Sequence, residues 1–194
     1  HSPYKSPTDM GVNMAGYCIF DDEAVCYAAK QEIIRRYYKA LCDRRKGLET
    51  QKEIEKLELL LSKADITPAD RKVVSAANRI AEETGAPAAA IELADGTVLT
   101  GKTKNLLGAA SALVLNALKH LAKIDDRLEL IPSDLIEPVQ SLKVNYLGSR
   151  NPRLHVDEIL VALSVAAATN KNAAKALSFL PMLKGAQVHC TVIL

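Results

Sequence analysis

The chain has 194 residues, of which 48% are hydrophobic and 25% charged, which is typical of a globular protein with one or two compact units. The formal net charge of +2 is too small for a dedicated nucleic-acid binder, and no apolar run reaches the roughly 20 residues that cross a bilayer. The four cysteines lack the paired spacing of a disulfide framework or a zinc site. We therefore predict a soluble cytoplasmic protein that binds neither nucleic acid nor membrane.

The N-terminal part is predicted to be a loop followed by helices. Residues 1–20 combine proline and glycine with polar residues, as ordered loops do. A helix is predicted to begin at Asp21 or Asp22, because acidic residues open it and apolar residues recur along one stripe. Basic residues fill its last turn, and Gly47 ends it.

Two further helices are predicted before residue 86. One covers about 48–63, where isoleucine and leucine recur at steps of three and four among Glu and Lys. The other has Thr67 as N-cap, Pro68 at its first position and Gly85 after its end. Residues 1–85 are thus predicted to be a loop plus a helical segment.

Strand-like and helix-like patterns alternate after residue 85. Two short strands flank Asp95-Gly96, a dipeptide suited to a two-residue hairpin turn. The predicted elements that follow are a helix at 106–122, a short strand at 127–131, a helix from Ser133 that Pro138 kinks or divides, a helix at 156–169, a short helix to about Leu183 and a final strand. Residues 86–194 are predicted to form an α/β unit. The whole chain is then a mixed α+β fold, in which a small sheet with a hairpin packs against long apolar helices.

Two of the predicted helices are apolar on nearly every side. The runs LLGAASALVLNAL and EILVALSVAAAT leave few polar positions, so we expect both helices to be covered on more than one side. They belong in the centre of the fold or against another domain. The chain also begins at His1 and ends in AQVHCTVIL, an apolar run without a polar tail, which predicts a segment of a longer protein.

The segment GTVLTGKT at 96–103 matches the phosphate-loop pattern, but its context argues against a nucleotide site. Three of the four residues between the glycines are β-branched and suited to a strand, and the hairpin turn already explains Gly96. Lys102, Thr103 and Lys104 nevertheless precede a helix, whose first N–H groups attract anions. A weak anion site and a solvated basic loop both stay open there.

The densest polar cluster lies in LGSRNPRLHVDE, at the start of an apolar helix. It comprises Arg150, Asn151, Arg153, His155, Asp157 and Glu158. The arginines and Asn151 are candidates to hold a carboxylate or phosphate, and His155 with Asp157 or Glu158 is a candidate for proton transfer. The alternative is ordinary helix-start chemistry, in which Asn-Pro makes the turn and the acids complement the helix dipole.

A second polar loop, KSPTDMGVNMAG, places four further candidate ligand-binding residues between glycines and prolines: Ser6, Thr8, Asp9 and Asn13. Such a loop either carries function or straps over a packed core with its methionines as anchors. His189 in the last strand is interpreted as a core or edge residue. Because His155 and His189 lack the short spacing of zinc ligands, we predict no metal site.

The sequence as a whole closely resembles a known bacterial family. The strings that carry the resemblance are SPYKSPTDMGVNMAGYCIFDDEAVCYAAKQEIIRRYYKAL, TPADRKVV, ELADGTVLTGKT, LGAASALVLNALKH, LGSRNPRLHVDEILVALS and HCTVIL. They are similar to members of the family called domain of unknown function 1846. The resemblance implies a longer cytoplasmic bacterial protein, with a large α/β region before this segment and a short continuation after it. The family has no established reaction, so the resemblance implies no cofactor and no catalytic residues.

Two functional hypotheses follow. In the first, the segment contributes a pocket for a phosphorylated or carboxylated metabolite to a larger enzyme, and Arg150, Arg153 and Lys102 hold the anion. In the second, it is a non-catalytic packing or oligomerisation module, whose apolar helices cover the remainder of a longer chain or a second copy. The first hypothesis gains if the Arg150 loop, residues 6–13 and Lys102 line one concave pocket.

Overall fold

The computed structural model of the protein describes residues 22–48 and 51–192. These residues divide into two compact units, the first ending at Arg71 and the second comprising Lys72–Val192. The change in sequence character at residue 86 lies inside the second unit, just before its first strand.

The first unit is built on two packed helices, α1 (Asp22–Arg45) and α2 (Gln51–Lys63). Both confirm the predicted helices, and Gly47 has the positive φ of 74° that ends α1. The helices pack through the apolar stripe that α2 shows at steps of three and four. The buried residues of this contact are Ile33, Ile34, Ala40, Ile54, Leu57 and Leu61.

The segment after α2 differs in detail from the predicted helix. Pro68–Asp70 form a single 3-10 turn. The backbone N–H of Thr67 donates a hydrogen bond to Oδ2 of Asp70 at 2.6 Å, and this bond lowers the pKa of Asp70. The α-helix begins only at Lys72, after this turn, and Gly85 with a φ of 62° follows its end as predicted.

The second unit is a small sheet packed against helices. Within Lys72–Val192 its elements are α3 (Lys72–Thr84), β1 (Ala88–Glu92), β2 (Val98–Lys102), α4 (Ala109–Ala122), α5 (Ser133–Ser141), α6 (Val156–Ala166), α7 (Lys171–Ser178) and β3 (Gln187–Cys190). Both β2 and β3 pair antiparallel with β1, in the order β2-β1-β3. The predicted mixed α+β fold, with its small sheet and hairpin, is confirmed.

The prediction of a strand at 127–131 is wrong. These residues form turns and bends. Leu130 and Ile131 are buried in the cluster that α4, α5 and α6 form, so their apolar character serves helix packing rather than a strand. A short apolar run does not by itself distinguish the two.

The β1–β2 hairpin is present, but its turn is longer than the predicted two residues. The N–H of Leu93 donates to the carbonyl of Thr97, and the three residues between them form the turn. Gly96 has a φ of 82°, and Oδ1 of Asp95 accepts a hydrogen bond from the N–H of Thr97 at 2.9 Å. This is the three-residue loop in which glycine takes the left-handed position.

The turn gives a direct prediction for Gly96. Gly96→Ala is expected to lower the free energy of unfolding by about 1 kcal/mol, because a Cβ disfavours the left-handed conformation. Gly96→Asn is expected to cost less, since asparagine tolerates that conformation. Urea denaturation of both variants measures the difference, and an equal loss in the two would contradict this explanation.

The helix α4 is covered on two sides, as its apolar sequence predicts. One side packs on the sheet, where Leu113 and Ala117 meet Ala89 and Ile91. The other side contributes Leu118 to the cluster that α6 and α7 share. The helix α4 is therefore the centre of the second unit.

Candidate functional site

The polar loop before α6 docks against the loop that follows β2. The N–H of Leu154 donates to the carbonyl of Leu106 at 2.8 Å, and the N–H of Gly108 donates to the carbonyl of Leu154 at 3.2 Å. The side chain of Arg153 joins the two loops a second time, since its Nε donates to the carbonyl of Lys104 at 3.1 Å. The two segments that the sequence singled out for anion binding are therefore neighbours.

Lys143 fixes the backbone of this loop, and the sequence analysis did not identify this residue. The chain leaves α5 through a π-helical turn, Leu142–Tyr146, in which the side chain of Lys143 is buried. Its Nζ donates to the carbonyl of Arg153 at 2.7 Å and pairs with Oε2 of Glu158 at 2.9 Å. No local signal marks Lys143, because its two partners lie 10 and 15 residues further along the chain.

Glu158 is held at the start of α6 through one carboxylate oxygen, Oε2. Its Oε2 also accepts the backbone N–H of His155 at 2.7 Å, as in a capping box. Burial opposes ionisation of this carboxyl, but the His155 N–H and the Lys143 ammonium outweigh it and lower the pKa of Glu158. An ionised and paired carboxylate favours the helix-start interpretation for this residue.

The other predicted residues of the cluster are exposed. The Nδ2 of Asn151 lies 3.2 Å from Nε2 of His155, which ties these two side chains together. Arg150 and Asp157 face solvent, and no ion pair with either is found in the described part of the chain. This arrangement presents exposed polar groups at the start of α6.

A cavity of about 630 Å³ lies beside β2, and Lys104 is one of its lining residues. It is lined by the end of β2, one face of α4, residues 126–131 and Ile136. Four cationic side chains contribute to the lining: Lys102, Lys104, Lys119 and Arg127. Two carboxylates, Asp126 and Glu129, are also present, so positive charge is in excess.

In the described part of the chain, none of the four cations forms an ion pair with an acidic side chain. Among residues 22–48 and 51–192, no ion pair involves Lys102, Lys104 or Arg127. The Nζ of Lys119 donates to the backbone carbonyl of Asp126 at 2.9 Å, which holds the wall formed by residues 126–131. The charge on the cavity wall is therefore available to a ligand.

The predicted ligand-binding residues divide into three groups. In the first group, Lys102 lines the cavity of about 630 Å³. Lys102 and Thr103 both line a neighbouring cavity of about 580 Å³, which shares Lys104 and Leu107 with the first cavity. The residues of the second group do not line these two cavities: Arg150, Asn151, Arg153, His155, Asp157 and Glu158. The residues of the third group lie outside the described residues: Ser6, Thr8, Asp9 and Asn13.

The phosphate-loop pattern is explained by packing. Val98–Lys102 is a strand, as the β-branched residues predicted. A Cβ on Gly101 would lie 2.6 Å from Cα of Leu113 and closer still to its backbone nitrogen. The second glycine of the pattern therefore allows β2 and α4 to approach each other.

The described residues contain neither a group of metal ligands nor a membrane-spanning helix. Within the described ranges, no three His, Cys, Asp or Glu side chains are grouped so that they could hold a metal ion. No helix in the same ranges combines the length and apolar composition needed to cross a membrane.

Comparison with known proteins places the chain in a family. Residues 69–194 match the profile of domain of unknown function DUF1846, C-terminal, and residues 1–65 match its N-terminal counterpart. The chain is 56% identical over its full length to the UPF0371 protein cu0538 of Corynebacterium urealyticum, 53% identical to DIP2346 of Corynebacterium diphtheriae, and 51% identical to SpyM50764 of Streptococcus pyogenes. In each case it spans only 39% of the relative's length. The chain thus belongs to the bacterial DUF1846 family, whose members include the UPF0371 proteins.

Proposed function

We propose that this segment contributes a pocket for a small anionic metabolite, phosphorylated or carboxylated, to a longer protein. The observation that carries the proposal is the cavity beside β2, where Lys102, Lys104 and Arg127 form no ion pair with any described residue. Lys102 and Lys104 are the residues that this cavity shares with the anion site considered in the sequence before α4.

The size and lining of the cavity support a metabolite rather than a bare ion. A volume of about 630 Å³ falls in the range of small-molecule sites. Leu107, Leu115 and Ile136 supply apolar wall, which lowers the local dielectric and strengthens each charged contact. A ligand with an anionic end and an apolar or neutral body fits this combination.

The loop before α6 has a positioning role in this proposal. Because Nε of Arg153 holds the carbonyl of Lys104, it fixes the backbone that carries the Lys104 ammonium. Lys143 fixes Arg153 in turn through its carbonyl. Proton transfer by His155 with Asp157 or Glu158, and direct anion binding by Arg150, stay predictions.

Removing the lysines tests the pocket. In the complete natural polypeptide that contains this segment, Lys102→Ala and Lys104→Ala are each expected to weaken pyrophosphate binding roughly fivefold, the effect of losing one partly screened charge. Isothermal titration with pyrophosphate, and with inorganic phosphate, at fixed ionic strength measures the affinity.

The matched control is Lys175→Ala, which removes the same charge from an exposed site on α7. It is expected to leave the affinity unchanged. If all three variants lose affinity equally, the anion senses only net charge and the pocket is rejected. Absence of binding to the unsubstituted protein rejects it as well.

A further inference from the structure

The outer side of α6 has the composition of a contact surface. We define the α6 outer face as Val161, Ser164 and Val165 on α6 together with Ala168 in the turn that follows it; all four are exposed and recur at steps of three and four. The exposed fractions of Val161 and Val165 are 61% and 55%. The three helical positions lie on one turn of α6, and Ala168 comes just after the helix ends.

No charge interrupts this face. From Ile159 to Asn170 the sequence contains no charged residue. The hydroxyl of Ser164 is satisfied within the helix, since its Oγ donates to the carbonyl of Val161 at 2.7 Å. A helix face in contact with water normally carries charged or polar side chains, so the α6 outer face differs from a solvated one.

The neighbouring helix α7 shows the contrast within the same unit. Its exposed positions include Lys171 and Lys175, which charge the outward side. Valine, by contrast, has a lower helix propensity than lysine or alanine because its branched Cβ loses rotamer freedom. Helix propensity therefore does not account for two valines at exposed helical positions.

We infer that the α6 outer face is covered by a part of the longer polypeptide that lies outside these 194 residues. The chain matches its relatives over its whole length but spans only 39% of theirs, so most of each relative is available as the occupant. The face also lacks the aromatic, arginine or methionine anchors that dominate separable interfaces between subunits. This inference is independent of the proposed pocket.

Cysteine accessibility tests the inference. The complete natural polypeptide that contains this segment is prepared with Val165→Cys or Ser164→Cys, both close to isosteric, and with Ala174→Cys on the solvated side of α7 as control. Each protein is exposed briefly to N-ethylmaleimide, and peptide mass spectrometry measures modification at the introduced cysteine separately from the native ones. We expect both α6 positions to react roughly tenfold or more slowly than position 174, as covered sites react only through local opening.

Dilution identifies the occupant. Protection that is unchanged when the protein is diluted supports coverage by the same polypeptide. Protection that disappears on dilution shows that a second copy covers the face and overturns the inference. Reaction at positions 164 and 165 as fast as at 174 shows that the face is open and overturns it too.

Discussion

Gly101→Ala is expected to lower the free energy of unfolding by about 3 kcal/mol, the upper part of the range for overpacked interiors. The added Cβ would lie 2.6 Å from Cα of Leu113 and 2.9 Å from the carbonyl oxygen of Ala109. Both are backbone atoms of α4, so no side-chain rotation relieves the clash. The strand β2 and the helix α4 would have to separate, which loosens the contact of Leu113 with the sheet. Urea denaturation monitored by circular dichroism gives the change.

Gly108→Ala is the control for this prediction. Gly108 also precedes α4, but a Cβ there meets only the carbonyl of Leu154 at 3.6 Å, an ordinary contact. Gly108 is the N-cap of α4 and has a φ of −68°. Gly108→Ala is therefore expected to lower the free energy of unfolding by less than about 1 kcal/mol. A loss at Gly101 no larger than that at Gly108 would show that β2 and α4 adjust freely, and the packing explanation of the phosphate-loop pattern would fail.

The elements that the sequence predicted correctly are those whose signals are local. Gly47 and Gly85 end helices, and Gly96 occupies the left-handed position of the hairpin; each has a positive φ that few other residues adopt. The amphipathic stripe of α2 likewise depends only on residues three and four apart. Such features need no knowledge of the rest of the fold.

The features that the sequence did not reveal depend on contacts between distant residues. Leu130 and Ile131 were predicted to lie in a strand, because the local sequence does not show that helices bury them. The context argued against a phosphate loop at Gly101, but nothing in the neighbouring residues shows that Leu113 lies against this glycine.

The candidate pocket was only partly predictable for the same reason. Lys102 was found because it precedes a helix, whereas Lys119 and Arg127 reach the cavity from the far end of α4 and from the loop after it. Spacing along the chain carries no sign of that convergence. Conversely, the dense cluster from Arg150 to Glu158 is conspicuous in sequence, yet its best-defined contacts, those of Arg153 and Glu158, fix backbone and a helix start.

Lys143→Met is expected to lower the free energy of unfolding by about 2–3 kcal/mol. The substitution keeps the length of the side chain but leaves the Glu158 carboxylate and the Arg153 carbonyl without the ammonium that now serves both. The loss arises because the Arg153 carbonyl and the Glu158 carboxylate, whose side chain is 26% exposed, both lose their partner without full access to water. The double variant Lys143→Met with Glu158→Gln is therefore expected to be less destabilised than the sum of the two single variants.

The pair between Lys72 and Glu92 is a matched control in the same unit. It has the same 2.9 Å separation, but 56% of the Lys72 side chain is exposed, against 7% for Lys143. Lys72→Met is expected to cost less than about 1 kcal/mol, as exposed pairs do. Similar losses in the two lysine variants would show that burial does not set the strength of the Lys143 contact.

The dependence of stability on pH tests the ion pair between Lys143 and Glu158. Because the pKa of Glu158 is lowered in the folded protein, its contribution is present above the unfolded pKa and is lost as the pH falls through the folded pKa. Without the Lys143 ammonium the folded pKa of Glu158 rises, so the loss is smaller in Lys143→Met and is complete at a higher pH. Unfolding free energies measured from pH 7 down to about pH 3 give the two profiles. Parallel profiles would mean that Lys143 acts only through its bond to the Arg153 carbonyl, and the charge pairing would have to be given up as the cause.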